Sequence, residues 1–353
     1  MTTDYRPTPL EVASGLVFGF APPEPLPAPQ IALSARQTLE QAILPALLRP
    51  PCLMSFSGGR ASSAVLAAAV LLARREGLEL PVPATNRFDG APRGDETAMQ
   101  ERVIVHLGLT EWVRLDFSDE LDLVGPVALR VMREHGLLWP FHTHFSRPLI
   151  EWASGGSLIT GLGDRNALGE PGALVSRNPG PLRWLRPTVQ VEVRKRWKKD
   201  AGSRPPAREQ RFAWWRRLRQ VRLGIESLRR LGAELRVEIC HPLIDPVFST
   251  ALAALPPHRR SATRLFGDLL PRELLAPRAA PPHEGPIWRR HSRGLVANWQ
   301  GDGVDTGLVD VDELRQQWLL PRPDPRTFLL LQSVALERET GSSSGRLLAV
   351  GAP

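Results

Sequence analysis

Apolar runs and amphipathic helical patterns alternate along the first half of the chain. Four apolar runs have the length of a strand and are predicted as strands: 52–56, 80–88, 111–117 and 157–160. The segments between them carry apolar residues at helical spacing and are predicted as helices: 61–75, 95–109 and 122–136. Strands and helices that alternate at this spacing are typical of βαβ units. The pattern therefore predicts an α/β fold with a parallel twisted sheet flanked by helices.

The pattern changes after about residue 180. The stretch RFAWWRRLRQVRLGIESLRRLG, 211–232, has one apolar stripe at helical spacing, and helical segments continue to about 340. We therefore predict one domain over 31–340, with a nucleotide-binding lobe at about 50–180 and a mainly helical lobe at about 181–340. The proline-rich residues 1–30 are predicted to be an irregular extension. Residues 341–353 are predicted to be a flexible tail.

A helix is also predicted before the first strand, over 32–48, with Ser34 as its N-cap. Composition limits the class of protein further. No run of eighteen uncharged apolar residues occurs among the 353 residues, so no membrane span is expected. The chain has two cysteines and no signal-peptide pattern at its start, which together favour a reduced, cytoplasmic protein.

The formal net charge of +8 is concentrated in one segment. Residues 194–236 contain fifteen Lys or Arg and four Asp or Glu, so the rest of the chain is net negative. Tryptophans at 197, 214 and 215 lie among these cations, a composition that could bind nucleic acid. Their helical spacing favours a solvated basic face with inward aromatics instead. An acidic protein or peptide remains a possible partner, and nucleic acid is disfavoured.

The stretch SFSGGRASS, 55–63, follows an apolar strand and opens a helix. Gly58 and Gly59 allow the backbone to approach an anion, and the N–H groups that open the helix can point at a phosphate. Ser57, Ser62 and Ser63 add hydroxyls. No Gly-Lys-Ser/Thr triplet or complete G-x-G-x-x-G occurs, which excludes the P-loop and Rossmann fingerprints. An ordinary tight turn is the structural alternative.

A second glycine turn, Gly161-Leu162-Gly163, follows the strand at 157–160. Carboxyl ends of parallel strands lie on one rim of the sheet, where ligands of α/β proteins bind. We therefore expect both turns to face one crevice.

Several stretches resemble the synthetase domain of asparagine synthetases in the ATP-pyrophosphatase superfamily. SFSGGRASS is similar to its SGG-x-D-S pyrophosphate loop, and GSLITGLGDRNALG is similar to its strand followed by T-G-x-G-G-D-E-x-x-G. HPLIDPVFSTALAALP resembles part of its helical half. The resemblance covers about residues 50–338. It implies an adenine nucleotide alpha hydrolase-like fold that binds ATP and Mg²⁺, activates a small-molecule or peptide carboxylate as an acyl-AMP, and forms an amide.

When the functional residues of the family are matched to this sequence position by position, the resemblance implies this nucleotide-binding set: Ser57, Gly58, Gly59, Arg60, Ser62, Ser63, Gly161, Gly163 and Arg165. It also implies that Asp164 is a metal ligand, that Glu96 contacts substrate, and that Glu134 and Arg278 are catalytic candidates. A simpler interpretation of Asp95 and Glu96 is that they are acidic residues in a first helical turn. A simpler interpretation of Glu134 is that it is a solvated helix residue. His142 and His144 suggest a metal pair, although ordinary polar packing is the better explanation.

Three positions depart from the pattern of the family. Ala61 stands where the loop has its metal-binding Asp, Arg165-Asn166 replaces the acidic pair, and Ala280 replaces the late lysine. Two interpretations remain open. One is a catalytically degenerate protein that keeps the fold to bind a nucleotide or peptide. The other is a slow ATP-dependent ligase in which Arg60 and Arg165 partly replace the charge of magnesium. A second acidic group that reaches the phosphate loop would favour the ligase.

Overall fold

A computed structural model describes residues 6–22, 33–89, 96–163, 178–275 and 288–341. The described residues contain five strands: β1 Cys52–Ser55, β2 Val82–Phe88, β3 Val113–Phe117, β4 Ser157–Ile159 and β5 Glu238–Cys240. They form one sheet in the order β3-β2-β1-β4-β5, and every neighbouring pair is parallel. The predicted α/β class with a parallel sheet is therefore confirmed.

Helices surround the sheet and make up most of the second half of the chain, as predicted. The α-helices of the described residues are α1 Pro9–Ser14, α2 Ala35–Leu47, α3 Arg60–Glu76, α4 Thr97–His106, α5 Pro126–His135, α6 Arg147–Trp152, α7 Pro187–Gly202, α8 Arg208–Arg217, α9 Arg219–Glu234, α10 Pro246–Ala254, α11 Ala262–Phe266, α12 Arg290–Ala297, α13 Val311–Leu319 and α14 Phe328–Thr340. Within these ranges, no helix combines the length and the hydropathy that crossing a bilayer would require.

The central strand β1 is apolar at successive positions because both of its faces are covered. Met54 packs on one face with α2 and α3, whereas Leu53 packs on the other with residues of α5, α6 and α9. This is the pattern expected of a parallel strand between two helical layers. The alanine-rich α3 is buried along almost its whole length, which lets it lie close to the sheet and to α2.

Two features of the second half differ from the sequence prediction. The strand β5 was not predicted, because three residues are too short to show a period of two and their pairing with β4 is set by the fold. The predicted helix 211–232 is divided into α8 and α9 at Leu218, whose ψ of 128° is extended. Leu218 leaves the helical conformation because it forms an antiparallel bridge with Phe20.

The N-terminal segment 6–22 packs on the helical half, although the sequence predicted irregular chain there. Thr8 and Glu11 form a capping box that starts α1. The Glu11 carboxylate is 3% exposed and accepts hydrogen bonds from the N–H of Phe18 at 3.0 Å and from the Arg219 guanidinium. Asp200 of α7 accepts a hydrogen bond from the N–H of Gly19 at 2.6 Å. Two carboxylates therefore hold this segment against α7 and α9.

We predict that Glu11→Ala lowers the free energy of unfolding by about 3 kcal/mol, because it leaves the Arg219 guanidinium and two N–H groups without their acceptor. Urea denaturation followed by tryptophan fluorescence measures the change. Glu192→Ala is the control, since its ion pair with Arg196 is exposed and its loss should change stability far less. Equal losses in the two variants would show that Glu11 does not anchor the segment.

Candidate functional site

The strand order reverses between β1 and β4, the two strands that meet in the middle of the sheet. The connection that leaves β1 is α3, which packs on one face of the sheet, whereas the connection that leaves β4 reaches α9, which packs on the other face. The connections that follow β1 and β4 therefore leave the carboxyl ends of these strands toward opposite faces of the sheet. Ligands of open α/β sheets bind in the crevice that such a reversal creates. Both predicted glycine turns lie at this point.

The loop after β1 bends at Gly58, whose φ of +76° lies in the left-handed region. Gly59 is the N-cap of α3 with φ −68° and ψ 160°, and it offers no side-chain cap. The Gly59 N–H donates to the Ser57 hydroxyl at 3.2 Å. The loop therefore leads into the first turn of a seventeen-residue helix whose N-cap residue makes no side-chain capping hydrogen bond.

The serine hydroxyls of this loop hold its shape. Ser62 Oγ donates to the carbonyl oxygen of Gly59 at 3.0 Å, and Ser63 Oγ donates to that of Gly58 at 3.2 Å. Ser57 Oγ lies 3.1 Å from Ser62 Oγ and, since the Ser62 proton is already engaged, Ser57 is the donor there. The hydroxyl protons are thus used inside the loop, and the backbone carries the capacity to bind an anion.

Two backbone N–H groups at the start of α3 remain open. Among the described residues, no acceptor binds the N–H of Ala61 or that of Ser62, although both residues are 5% exposed. Gly161, in the turn after β4, approaches the same point: a Cβ on Gly161 would lie 3.4 Å from the nitrogen of Ser62. The two turns therefore meet at the start of α3. Open N–H groups at a helix N-terminus attract anions.

An acidic group reaches the loop from the start of α4. Gln100 Nε2 donates to the carbonyl oxygen of Ser57 at 3.1 Å and packs α4 against the turn. Glu96, the N-cap residue of α4, places its Oε2 atom 3.5 Å from where a Cβ on Gly58 would lie. The carboxylate therefore stands beside the glycine turn. Glu96 was predicted as a site residue from its motif, whereas the contact of Gln100 with the loop was not predicted.

The turn after β4 is supported by residues that follow β5. Gly163 has φ +105°, and a Cβ there would lie 2.6 Å from Ile244. Thr160 Oγ1 accepts a hydrogen bond from the N–H of Leu162 at 3.3 Å and lies 2.6 Å from Nδ1 of His241. If the Thr160 hydroxyl donates to Nδ1, the ring proton is on Nε2, which is buried and has no hydrogen-bond partner. Burial lowers the pKa of His241 to about 4, so the ring is neutral near pH 7.

Sequence analysis did not single out His241. His241 directly follows the residues that form β5, but these three residues are too few to be recognised as a strand from the sequence. Its contact with Thr160 depends on the pairing of β5 with β4.

The structure does not bring Glu134 to the crevice. Glu134 ends α5 beside His135, and Arg147 of α6 contacts both Glu134, at 3.4 Å, and Glu234, at 2.6 Å. Glu234 immediately precedes Leu235, whose carbonyl oxygen accepts from Gly155 just before β4, so this cluster lies at the amino edge of the sheet. The hydrogen bond from Arg147 lowers the pKa of the Glu234 carboxyl. Glu134, His135 and Glu234 are grouped closely enough to hold a metal ion, but Arg147 already supplies a cation there.

His144 packs as an ordinary polar residue, as the sequence favoured. Its Nδ1 atom lies 3.1 Å from the carbonyl oxygen of Phe141, and its Nε2 atom lies 3.2 Å from that of Leu121. Burial lowers the pKa of His144 to about 4. Both ring nitrogens face backbone oxygens and neither is open to a metal.

The remaining candidates lie outside the described residues: Asp95, Asp164, Arg165, Asn166, Arg278 and Ala280. Of the predicted nucleotide-binding set, the structure brings together the loop 57–63 and Gly161, and it places Gly163 beside Ile244. Comparison with protein-family models and with curated protein sequences finds no match to this chain.

We predict that His241 makes the protein less stable in acid. Because the folded-state pKa is about 4 and an unfolded histidine titrates near 6.5, the unfolded chain binds the extra proton between these values. The stabilisation is complete above about pH 6.5 and is lost toward pH 4. Between about pH 6 and 4.5 the wild type should lose about 1.4 kcal/mol per pH unit more than His241→Asn. Urea denaturation at several pH values measures this, and parallel curves would contradict it.

Proposed function

We propose that this chain is an asparagine-synthetase-like protein that binds ATP in the crevice between β1 and β4. The observation that carries the proposal is the pair of N–H groups on Ala61 and Ser62, which have no acceptor among the described residues and lie next to the glycine turn at Gly161. Phosphate oxygens satisfy such donors, and the positive end of the α3 dipole favours their charge. The order of the motifs along the chain, described above, suggests the nucleotide and the class of protein.

Among the described residues, the loop itself offers no carboxylate to hold magnesium. Mg²⁺ requires near-octahedral oxygen coordination, and the family holds it with a carboxylate at the position that Ala61 occupies here. The Ala61 methyl group is 5% exposed and offers no oxygen. Within the described ranges, Glu96 is the carboxylate found beside Gly58. We therefore propose that nucleotide binding by the backbone is the retained function, with carboxylate activation weakened or lost.

A second candidate function is a slow amide-forming ligase, and the position of Glu96 favours it. In such a reaction a substrate carboxylate oxygen attacks the α-phosphorus of ATP and pyrophosphate leaves. An amine then attacks the acyl carbon, AMP leaves, and the amine nitrogen loses a proton to a base. An acidic group at the loop is the feature that separates a ligase from a degenerate protein. Loss of one clamp on a transferred phosphoryl group typically costs about 10²–10³ in rate.

Calorimetric titration with ATP, AMP and pyrophosphate tests binding. We expect ATP and pyrophosphate to bind and chelation of magnesium to leave the affinity unchanged within about threefold. A pyrophosphate-release assay with amino-acid and peptide carboxylates tests the ligase. Binding without release supports the retained binding function, whereas the absence of heat with all three ligands would rule out both functions.

We predict that Gly58→Ala weakens ATP binding by at least about tenfold. The new Cβ would lie 2.6 Å from Cγ of Gln100, and φ of +76° is unfavourable for alanine, so the loop and the first turn of α3 must shift. Calorimetry measures the affinity, and circular dichroism checks the fold.

Gly155→Ala is the matched control. Gly155 has φ +79°, nearly that of Gly58, but a Cβ there meets no atom within 4 Å and lies at the amino edge of the sheet. The backbone strain is therefore equal and the crevice is untouched. ATP binding that survives in both variants, or fails in both, would place the phosphates elsewhere.

We predict that Ala61→Asp makes ATP binding depend on magnesium. The substitution adds a carboxylate to the first turn of α3, which repels free ATP and provides an oxygen ligand for MgATP. Affinity for ATP in chelator should fall by at least about tenfold and recover when Mg²⁺ is added. Ala61→Asn controls for side-chain size without charge. An Asp variant that binds ATP as the wild type does, with or without magnesium, would show that residue 61 does not face the phosphates.

A further inference from the structure

One face of α7 carries four exposed cations around an exposed valine. Arg194, Lys195, Lys198 and Lys199 are all exposed, and Val191 is 66% exposed. At 3.6 residues per turn these four cations fall within an arc of about 140°, and Val191 lies near its centre. We call this surface, formed by residues 191, 194, 195, 198 and 199, the α7 cation face.

Few carboxylates balance this face. Glu192 lies at its edge, bonds Arg196 at 2.7 Å and feels the charge of Lys195, whereas Asp200 is buried and accepts from the N–H of Gly19. Among the described residues, no carboxylate forms an ion pair with Lys195, Lys198 or Lys199. The positive charge of the face is therefore only partly balanced within the described part of the molecule.

The basic residues of α9 contrast with those of α7. Arg219 binds Glu11, while Arg229 and Arg230 both bind Glu226, and the hydrogen bond from Arg229 lowers the pKa of the Glu226 carboxyl. These arginines are paired with carboxylates of α9 itself or of α1. The unbalanced charge is thus a property of α7 and not of the whole basic segment.

The spacing on α7 is unfavourable for a helix that faces only water. Arg194 and Lys198, and Lys195 and Lys199, are like charges four residues apart, and each such pair costs a few tenths of a kcal/mol. A helix selected for stability alone would place glutamates at some of these positions. The arrangement becomes favourable when an anionic surface neutralises it.

We infer that the α7 cation face binds an acidic segment of a polypeptide. Three of its four cations are lysines, whose ammonium groups pair with carboxylates without the planar geometry that arginine requires. The face extends about 12 Å from Val191 to Lys199, which about four extended residues would span. Val191 offers an apolar contact in the middle, so the fitting segment is rich in Asp or Glu with one apolar side chain.

Nucleic acid and membrane surfaces fit less well. Trp197, Trp214 and Trp215 are each 7% exposed and cannot stack on bases. The apolar side of α7, which includes Val193 and Trp197, is packed in the core of the helical half, so Val191 alone could enter a bilayer. This inference uses no residue of the crevice and is independent of the proposed function.

Fluorescence anisotropy with a labelled seven-residue peptide, six glutamates around a central leucine, tests the inference on the full chain. We expect saturable binding at 50 mM NaCl that weakens by about tenfold at 300 mM. Lys195→Glu with Lys198→Glu should weaken it by at least about tenfold. The control, Arg290→Glu with Arg293→Glu, makes the same change of charge on the exposed side of α12 and should change affinity by less than about twofold.

Circular dichroism verifies that both double variants fold. A peptide with glutamine in place of each glutamate should not bind. Absence of saturable binding, or equal losses in the two double variants, would overturn the inference. So would tighter binding of oligouridylate or of phosphatidylserine vesicles that is lost with the α7 substitutions, because the face would then belong to that other partner.

Discussion

The reversal of strand order between β1 and β4 is the constraint on which the candidate site depends. The chain leaves these two central strands toward opposite faces of the sheet, which creates a crevice at their carboxyl ends. In the first turn of α3, the N–H groups of Ala61 and Ser62 have no acceptor among the described residues, and Gly161 lies beside them. The site follows from the topology and from two glycine turns, and it requires no unusual side-chain chemistry.

The site contains fewer ligand-binding side chains than its sequence motif suggests. The serine hydroxyls are used to hold the loop, and Ala61 presents a methyl group, so the capacity to bind an anion lies in the backbone and the helix dipole. Backbone donors bind phosphate well. They cannot replace a metal ion, which neutralises the charge that develops while the phosphoryl group is transferred. We therefore propose that nucleotide binding is retained. Glu96 beside the loop is the feature that supports the alternative, a slow ligase.

Local signals in the sequence predicted much of the fold. Alternating strands and helices gave the parallel sheet, and Ser34 caps α2 as expected because a capping box depends on residues three apart. The strand β5 and the break at Leu218 could not be predicted, since each depends on a partner far away in the chain. In the site, the glycine turns and Glu96 were visible as motifs. The burial of His241 and the distance of Glu134 from the crevice depend on tertiary packing, which one sequence does not display.

Hydrogen–deuterium exchange of the full chain, with and without ATP, tests whether the nucleotide binds in the crevice between β1 and β4. We expect ATP to slow exchange in peptides that cover 57–63 and 160–163, because phosphate oxygens would occupy the N–H groups of Ala61 and Ser62 and exclude water from the adjoining turn. Peptides that cover 131–137, at the amino edge of the sheet, should exchange at an unchanged rate. Unchanged exchange at 57–63 at saturating ATP, or protection confined to another region, would contradict the account.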